Sequence, residues 1–284
     1  MKTIHIGGVP EHFNLAWYLA LKQGLFKKAG INLRWKDYPS GTGAMAKSLR
    51  KGDIDLSVIL TEGIIKDIVD GNPSKIIQTF VQTPLIWGIH VAENSKYHNI
   101  EQLKGTKAAI SRYGSGSHLM AYIQAKNNNW DLDSDLNFEV IKDLDGAVEG
   151  LTQGKADYFM WEKFMTKPLV DQGIFRRIGN CPTPWPCFVI AASNNALELY
   201  KDEIKVILDI INKMTLGFKT IPDIDKVIAE RYDQKIEDVQ EWLSLTEWSQ
   251  SLLDEETVSN VQNQLISTNI ISKAMKYKDL VAEV

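Results

Sequence analysis

Cysteine is scarce in this chain: Cys181 and Cys187 are the only two among 284 residues. Two thiols are too few for a disulfide framework or a zinc knuckle, and they read as a reduced, partly buried pair. Runs of Lys or Arg are also missing, and the formal net charge is −4. A nucleic-acid surface needs a basic stripe and a membrane-surface segment needs clustered cations, so neither is expected. No window approaches the ~18 consecutive apolar residues of a membrane helix. A Gly-x-Ser-x-Gly elbow, a Walker phosphate loop and a His-Glu-x-x-His pair are absent as well. None of the five histidines has a partner at metal-ligand spacing, so no metal or cofactor is expected.

The start of the chain lacks the marks of a leader. Met1-Lys-Thr-Ile-His-Ile-Gly7 reads directly as a strand, without a basic region, an apolar stretch or a small-residue cleavage site ahead of it. As written, this gives the expectation of a cytoplasmic protein. Removal of a leader would leave the same text and would place the protein in the periplasm or on a lipid anchor.

What the chain does have is a short pattern written twice. The first copy runs Leu49-Arg-Lys-Gly52-Asp-Ile-Asp55, then the apolar run 56–60, then Thr61-Glu62. The second runs Leu151-Thr-Gln-Gly154-Lys-Ala-Asp157, then 158–161, then Glu162. In each, a helical stretch stops at a Gly suited to the left-handed closing turn, an Asp follows, and a buried-type strand ends in an acid. A fixed-period repeat indicates duplicated architecture. Here it predicts two similar lobes with a cleft between them. The length suits two lobes, and 44% apolar with 24% charged residues suits a globular chain.

The periodicity agrees. Residues 3–8 predict a strand, 15–28 a helix, 31–38 a strand, 44–51 a helix, 56–60 a strand, 63–70 a helix and 76–91 a long strand region. Strands over 107–112, 137–142 and 158–161 then alternate with helices over 118–126 and 145–153. That order predicts two doubly wound α/β lobes with parallel sheets. Two segments read as hinge strands, 85–93 and 181–192. The second carries Pro182, Pro184 and Pro186, which stiffen it. Lobe one is expected over 1–88 and 188–284, and lobe two over 89–187. From 195 onward the pattern is helical (196–219, 224–232, 236–249, 255–272), an extension expected to cover lobe one.

These residues carry a family resemblance. The opening helix Ala16-Trp-Tyr-Leu-Ala-Leu-Lys-Gln-Gly-Leu-Phe-Lys-Lys-Ala-Gly-Ile-Asn-Leu33, the doubled Leu-x-x-Gly-x-x-Asp and the pair Trp161-Glu162 resemble ABC-transporter substrate-binding proteins. The resemblance is to the nitrate, sulfonate, taurine and thiamine-pyrimidine-precursor group of type 2 periplasmic-binding-protein folds, and it covers about the whole chain. It implies a monomer whose lobes close on a small molecule, with an ABC permease as partner.

In open α/β sheets, ligands bind beyond the carboxyl ends of the strands. The loops there contain Ser40-Gly41-Thr42-Gly43 in one lobe and Ser115-Gly116-Ser117 in the other. Gly admits close backbone approach, hydroxyls add donors, and a helix N-terminus favours negative charge, although the same residues are ordinary helix caps. Thr61, Glu62 and Glu162 end the equivalent strands. If both acids face the cleft, an amine- or ring-nitrogen-bearing ligand fits better than a simple inorganic anion; otherwise each is a helix-start acid. Phe13, Tyr113, Trp161 and Trp185 offer stacking surfaces, with core packing as the alternative role for each. His12 and His118 lie in the same loops. The ligand is therefore read as a small polar or heteroaromatic solute, nitrogen-containing or sulfonate-like.

Two other functions remain open. One is a cytoplasmic enzyme on this fold, similar to futalosine-pathway enzymes or thiamine-pyrimidine synthases, with Glu62, Glu162 or His118 as acid or base. The synthases rely on a cysteine-rich cluster that this chain lacks. The other is an effector lobe, which would need a separate DNA-binding partner.

Overall fold

The computed structural model describes residues 1–284, which form two compact units. The first comprises residues 1–83, 185–266 and 271–284, and the second residues 84–184 with 267–270. The chain therefore leaves the first unit after 83 and re-enters it at 185, a few residues before the crossings expected from sequence.

The first unit begins β1 (Lys2–Gly8), α1 (Leu15–Lys22), α2 (Leu25–Lys28), β2 (Ile31–Asp37), α3 (Thr42–Lys51), β3 (Leu56–Leu60), α4 (Thr61–Val69) and β4 (Ser74–Val81). The second unit holds β5 (Ile86–Ala92), β6 (Lys107–Ile110), α5 (Gly116–Asn127), β7 (Asn137–Val140), α6 (Leu144–Thr152), β8 (Tyr158–Glu162), α7 (Lys167–Asp171) and β9 (Phe175–Pro182). The chain returns with β10 (Phe188–Ser193), then α8 (Asn194–Leu199), α9 (Lys201–Leu216), α10 (Ile224–Tyr232), α11 (Ile236–Leu245), α12 (Glu255–Ser267) and α13 (Tyr277–Leu280). No helix is long and apolar enough to cross a membrane.

Each unit is built on a five-stranded sheet, ordered β2-β1-β3-β10-β4 in the first and β7-β6-β8-β5-β9 in the second. The sheets are mixed, which corrects the parallel expectation. β1, β2 and β3 run parallel, as do β6, β7 and β8, while β10 and β5 run against both of their neighbours. Periodicity identifies a strand without giving its direction. β5 pairs with β8 and β9, and β10 with β3 and β4, all far away in sequence, so no local signal gives their directions.

Several expected elements are broken, among them the strand over 181–192, interrupted at 183–187, and the helix over 196–219, which divides at Tyr200 into α8 and α9. The helix over 15–28 divides at Gly24, whose φ of +67° is left-handed and ends α1's ladder. The strand region over 76–91 divides around Pro84, which has no N–H to give to a ladder. Most other boundaries lie within a few residues of the expected ones, and α10 coincides with 224–232.

The doubled motif has one structure in both units. Gly52 (φ +75°) and Gly154 (φ +68°) close α3 and α6. Each donates its N–H three residues back, to Leu49 O and Leu151 O, and the residue after each donates to Ser48 O and Gly150 O. That is a Schellman closure twice over. The aspartates then fasten the next strand to the first one of the sheet. Asp55 donates its N–H to His5 O (2.8 Å) and its carboxylate accepts His5 N–H (2.7 Å). Asp157 does the same to Lys107, at 2.8 and 2.9 Å. Each clamp fixes the register in which β3 meets β1, or β8 meets β6.

The units have separate cores. In the first, Trp17 is fully buried and stacks on Phe26 at 6.1 Å, with Phe80 at 6.0 Å. In the second, Ala109, Ala147, Leu151, Phe159 and Phe175 form a cluster. Cys181 and Cys187 are buried free thiols, and burial pushes the Cys181 thiol up to about 12.

Gly52→Ala and Gly154→Ala are each expected to cost about 1–2 kcal/mol, because both glycines are left-handed with open space beside them. Asp157→Ala is expected to cost about 1–3 kcal/mol, because it orphans the Lys107 N–H. Urea unfolding checks all three, and a null effect at both glycines would refute the closure described.

Candidate functional site

In the first unit, the loops after β1, β2 and β3 lie at the carboxyl ends of the parallel strands. The end of β1 is Gly7-Gly8, and these glycines permit a close cover. A Cβ at Gly8 would lie 2.4 Å from the Trp35 ring, and one at Gly7 would lie 2.6 Å from the Tyr38 ring. The loop that follows is closed by Asn14, whose Nδ2 donates to Val9 O at 2.8 Å.

His12 and Phe13, expected to touch ligand, are in the core of this unit. The His12 ring stacks on Phe13 at 4.7 Å and meets Trp242 edge-on at 4.3 Å. Phe13 also packs on Phe188 at 5.1 Å. His12 is completely buried, and burial lowers its pKa to about 3, so the ring is neutral. The cover comes from α11, more than two hundred residues along the chain.

Ser40, Gly41, Thr42 and Gly43 do form the start of a helix. Gly41 is left-handed (φ +69°), and no side chain caps α3. Ser40 is exposed, and the N–H groups of Thr42 and Gly43 make no bond within the chain. The Thr42 methyl lies where a Cβ on Gly63 would be, 2.2 Å away, so the starts of α3 and α4 abut.

Thr61 and Glu62 are buried. Thr61 donates its hydroxyl proton to Pro186 O at 2.5 Å and its N–H to Cys187 O at 3.1 Å, tying α4 to the segment before β10. Glu62 Oε2 accepts the Trp185 Nε1–H at 2.9 Å, while its Oε1 has no hydrogen-bond partner. Burial is the main cause that raises the Glu62 carboxyl to about 7, against the lowering effect of the Trp185 bond. Trp185 itself is buried. Both residues stood among the candidates, but the sequence carried no sign that they form a pair.

In the second unit, the loop after β6 makes a dense polar turn at the start of α5. Ser115 caps the helix by accepting the His118 N–H at 3.3 Å. Ser117 Oγ accepts the Ser111 N–H at 3.0 Å and lies 3.2 Å from Ser111 Oγ and 3.0 Å from Ser115 Oγ. Both hydroxyls thus hold the turn together, the capping role that the sequence offered as the alternative to ligand contact. The N–H groups of Gly116 and Ser117 make no bond within the chain.

His118 adds a third donor. Gly114 N–H donates to its Nδ1 at 3.1 Å, which leaves the proton of the neutral ring on Nε2, and Nε2 has no hydrogen-bond partner. Burial lowers the His118 pKa. The ring is fenced by Tyr113, Tyr122 and Phe138 at 5.3, 5.0 and 4.7 Å. Tyr113 is 66% exposed, and the exposed Arg112 beside it has no carboxylate partner. Sequence reasoning passed over Arg112; its place just before a Ser-Gly-Ser helix start was the available signal.

Glu162 and Trp161 serve the fold of this unit. The buried Glu162 carboxylate accepts the N–H groups of Phe164 (2.9 Å) and Met165 (2.7 Å). It holds the turn after β8, a structural role that the sequence expectation of a ligand contact did not include. Trp161 stacks on Phe159 at 5.3 Å and packs against the unit's core.

Comparison with known proteins now places the fold. Residues 87–181, within the second unit, match the model of a family described as Ca3427-like PBP, the abbreviation standing for periplasmic binding protein. The solved structure of the conserved Candida albicans CA3427 gene product is 26% identical, with a TM-score of 0.88 over 97% of this chain and 92% of that one. The alkanesulfonate-binding protein SsuA from Xanthomonas axonopodis pv. citri, bound to MOPS, is 16% identical, with a TM-score of 0.84 over 100% and 99%. The periplasmic aliphatic sulphonate binding protein SsuA from Escherichia coli is 16% identical, with a TM-score of 0.77 over 100% and 92%. No curated protein matches the sequence. The chain has the type 2 periplasmic-binding-protein fold, and sulfonate binders are among its structural neighbours.

The raised Glu62 carboxyl has a consequence for stability. Its contribution is complete below the unfolded value of 4.5 and is lost as pH rises to about 7. The loss amounts to about 3 kcal/mol. His12 acts in the opposite direction, losing stability as pH falls from 6.5 toward 3. The stability of Glu62→Gln relative to the parent is therefore expected to rise by about 3 kcal/mol from pH 4.5 to 8. Urea midpoints across that range check it, and a flat difference would show an ordinary carboxyl.

Proposed function

We propose that this chain is a solute-binding protein for a small organic anion, one carrying a sulfonate-like group, with an ABC permease as its partner. The observation that carries the reading is the start of α5. Two free N–H groups, the positive end of a helix, the unpaired Nε2–H of His118 and the unpaired Arg112 are all donors or positive charge. The exposed Tyr113 ring adds an apolar face for the rest of the solute.

The sequence expectation favoured a nitrogen-bearing ligand because two ionised acids would oppose an anion. That objection weakens here. The Glu162 charge is compensated by two backbone N–H groups, and the Glu62 carboxyl is neutral below about pH 7. The engagement of Glu162 by two backbone N–H groups also removes one of the acids considered for proton transfer. One of the structural neighbours is an alkanesulfonate-binding protein bound to MOPS, a likeness of fold that agrees with this reading.

Titration calorimetry with MOPS, taurine, methanesulfonate and nitrate, against an aminopyrimidine, tests the proposal. A sulfonate is expected to bind, and at a hundred times its Kd to stabilise the chain by about 2.7 kcal/mol. Arg112→Ala is expected to weaken it at least tenfold, since a charged hydrogen bond contributes about 1.5–3 kcal/mol. Preference for the aminopyrimidine over every sulfonate would sink the proposal.

A further inference from the structure

The first unit carries a recess away from the strand-end loops. It lies between α2, α9 and the turn that follows α9, and its volume is about 600 Å³. That is within the roughly 300–1,000 Å³ of small-molecule sites. Its walls are Leu25, Ile210, Met214 and Ile221, each half-buried, with Lys28 and Lys213 at the rim. Ile210 and Met214 are one turn apart on α9 and so share a face.

The charge is one-sided. No Asp or Glu lines the recess, and neither lysine's ammonium group takes part in an ion pair or hydrogen bond. Asp209, one turn before Lys213, forms no bridge to it. Apolar walls under two free ammonium groups match a molecule with an alkyl chain and an anionic head. The recess has nine lining residues, whereas a stable protein interface takes about 20–30 on each side. Its occupant is therefore small.

We infer that this recess binds a free single-chain alkyl anion, its chain along Leu25, Ile210, Met214 and Ile221 and its carboxylate or sulfonate between Lys28 and Lys213. The inference does not depend on the solute proposed for the α5 site.

Titration of the full chain with decanoate, below its micelle concentration, tests it. One-to-one saturable binding is expected, tighter than octanoate by about fourfold for each added methylene. Lys28→Glu with Lys213→Glu, a surface change with little effect on folding, is expected to weaken decanoate at least tenfold and leave MOPS binding unchanged. Met214→Trp, with circular dichroism as its folding control, is expected to abolish decanoate binding by filling the recess. Absence of saturation, or affinity unchanged in the lysine variant, overturns the inference. Sedimentation with anionic phospholipid vesicles but no decanoate binding also overturns it, as does self-association lost in the same variants without decanoate binding.

Discussion

Asp55 and Asp157 each exchange two hydrogen bonds with one residue of a neighbouring strand, and the rest of both units is assembled on that exchange. The N–H of each aspartate and its carboxylate grip the carbonyl and the N–H of a single partner, His5 or Lys107. A pair of this kind sets register at one point, and a slip of one residue would turn every side chain of the strand to the opposite face. β3 and β8 are buried along nearly their whole length, so neither could tolerate such a slip. The left-handed glycines upstream have the complementary task of bringing α3 and α6 to a stop where the aspartates can reach. Glycine and aspartate therefore recur together because each is useful only with the other in place.

Beyond these clamps the two units diverge in how they treat charge at the strand ends. In the first, the acid after the strand is buried with a single indole donor and is held neutral through much of the acidic range. In the second, the equivalent acid receives two backbone donors. One position in the repeat has thus become a carboxylic acid in one copy and a solvated-by-backbone carboxylate in the other. The free N–H groups at the start of α5 and the nearby Arg112 give the second unit its positive end.

Much of the fold was legible because it rests on local signals. Gly52 and Gly154, the apolar strands and the alternation of elements all follow from near-neighbour chemistry. Strand direction did not, since β10 and β5 take their places through contacts with strands far away in sequence. The division at Gly24 was hidden because apolar spacing continues across it from Leu19 to Leu25. At the candidate site, the loops between elements were legible, but the burial of individual side chains was not. His12 and Phe13 look exposed until Trp242 covers them, and Glu62 looks free until Trp185, 123 residues later, reaches it. The serines of the α5 turn read equally as caps or contacts, and only their mutual distances reveal the capping bonds.

The position of β10 also has a bearing on how the protein is made. β4 is joined to the first sheet through β10, which lies between it and β3. Until residues 188–193 have been synthesised, β3 has an open edge and β4 has no ladder to join. Residues 84–184, by contrast, contain every strand of the second sheet. Domains generally fold in the order in which they leave the ribosome. Here the order inverts: the unit that begins the chain is the last to be completed, and it waits, with an open sheet, for a strand encoded beyond its neighbour.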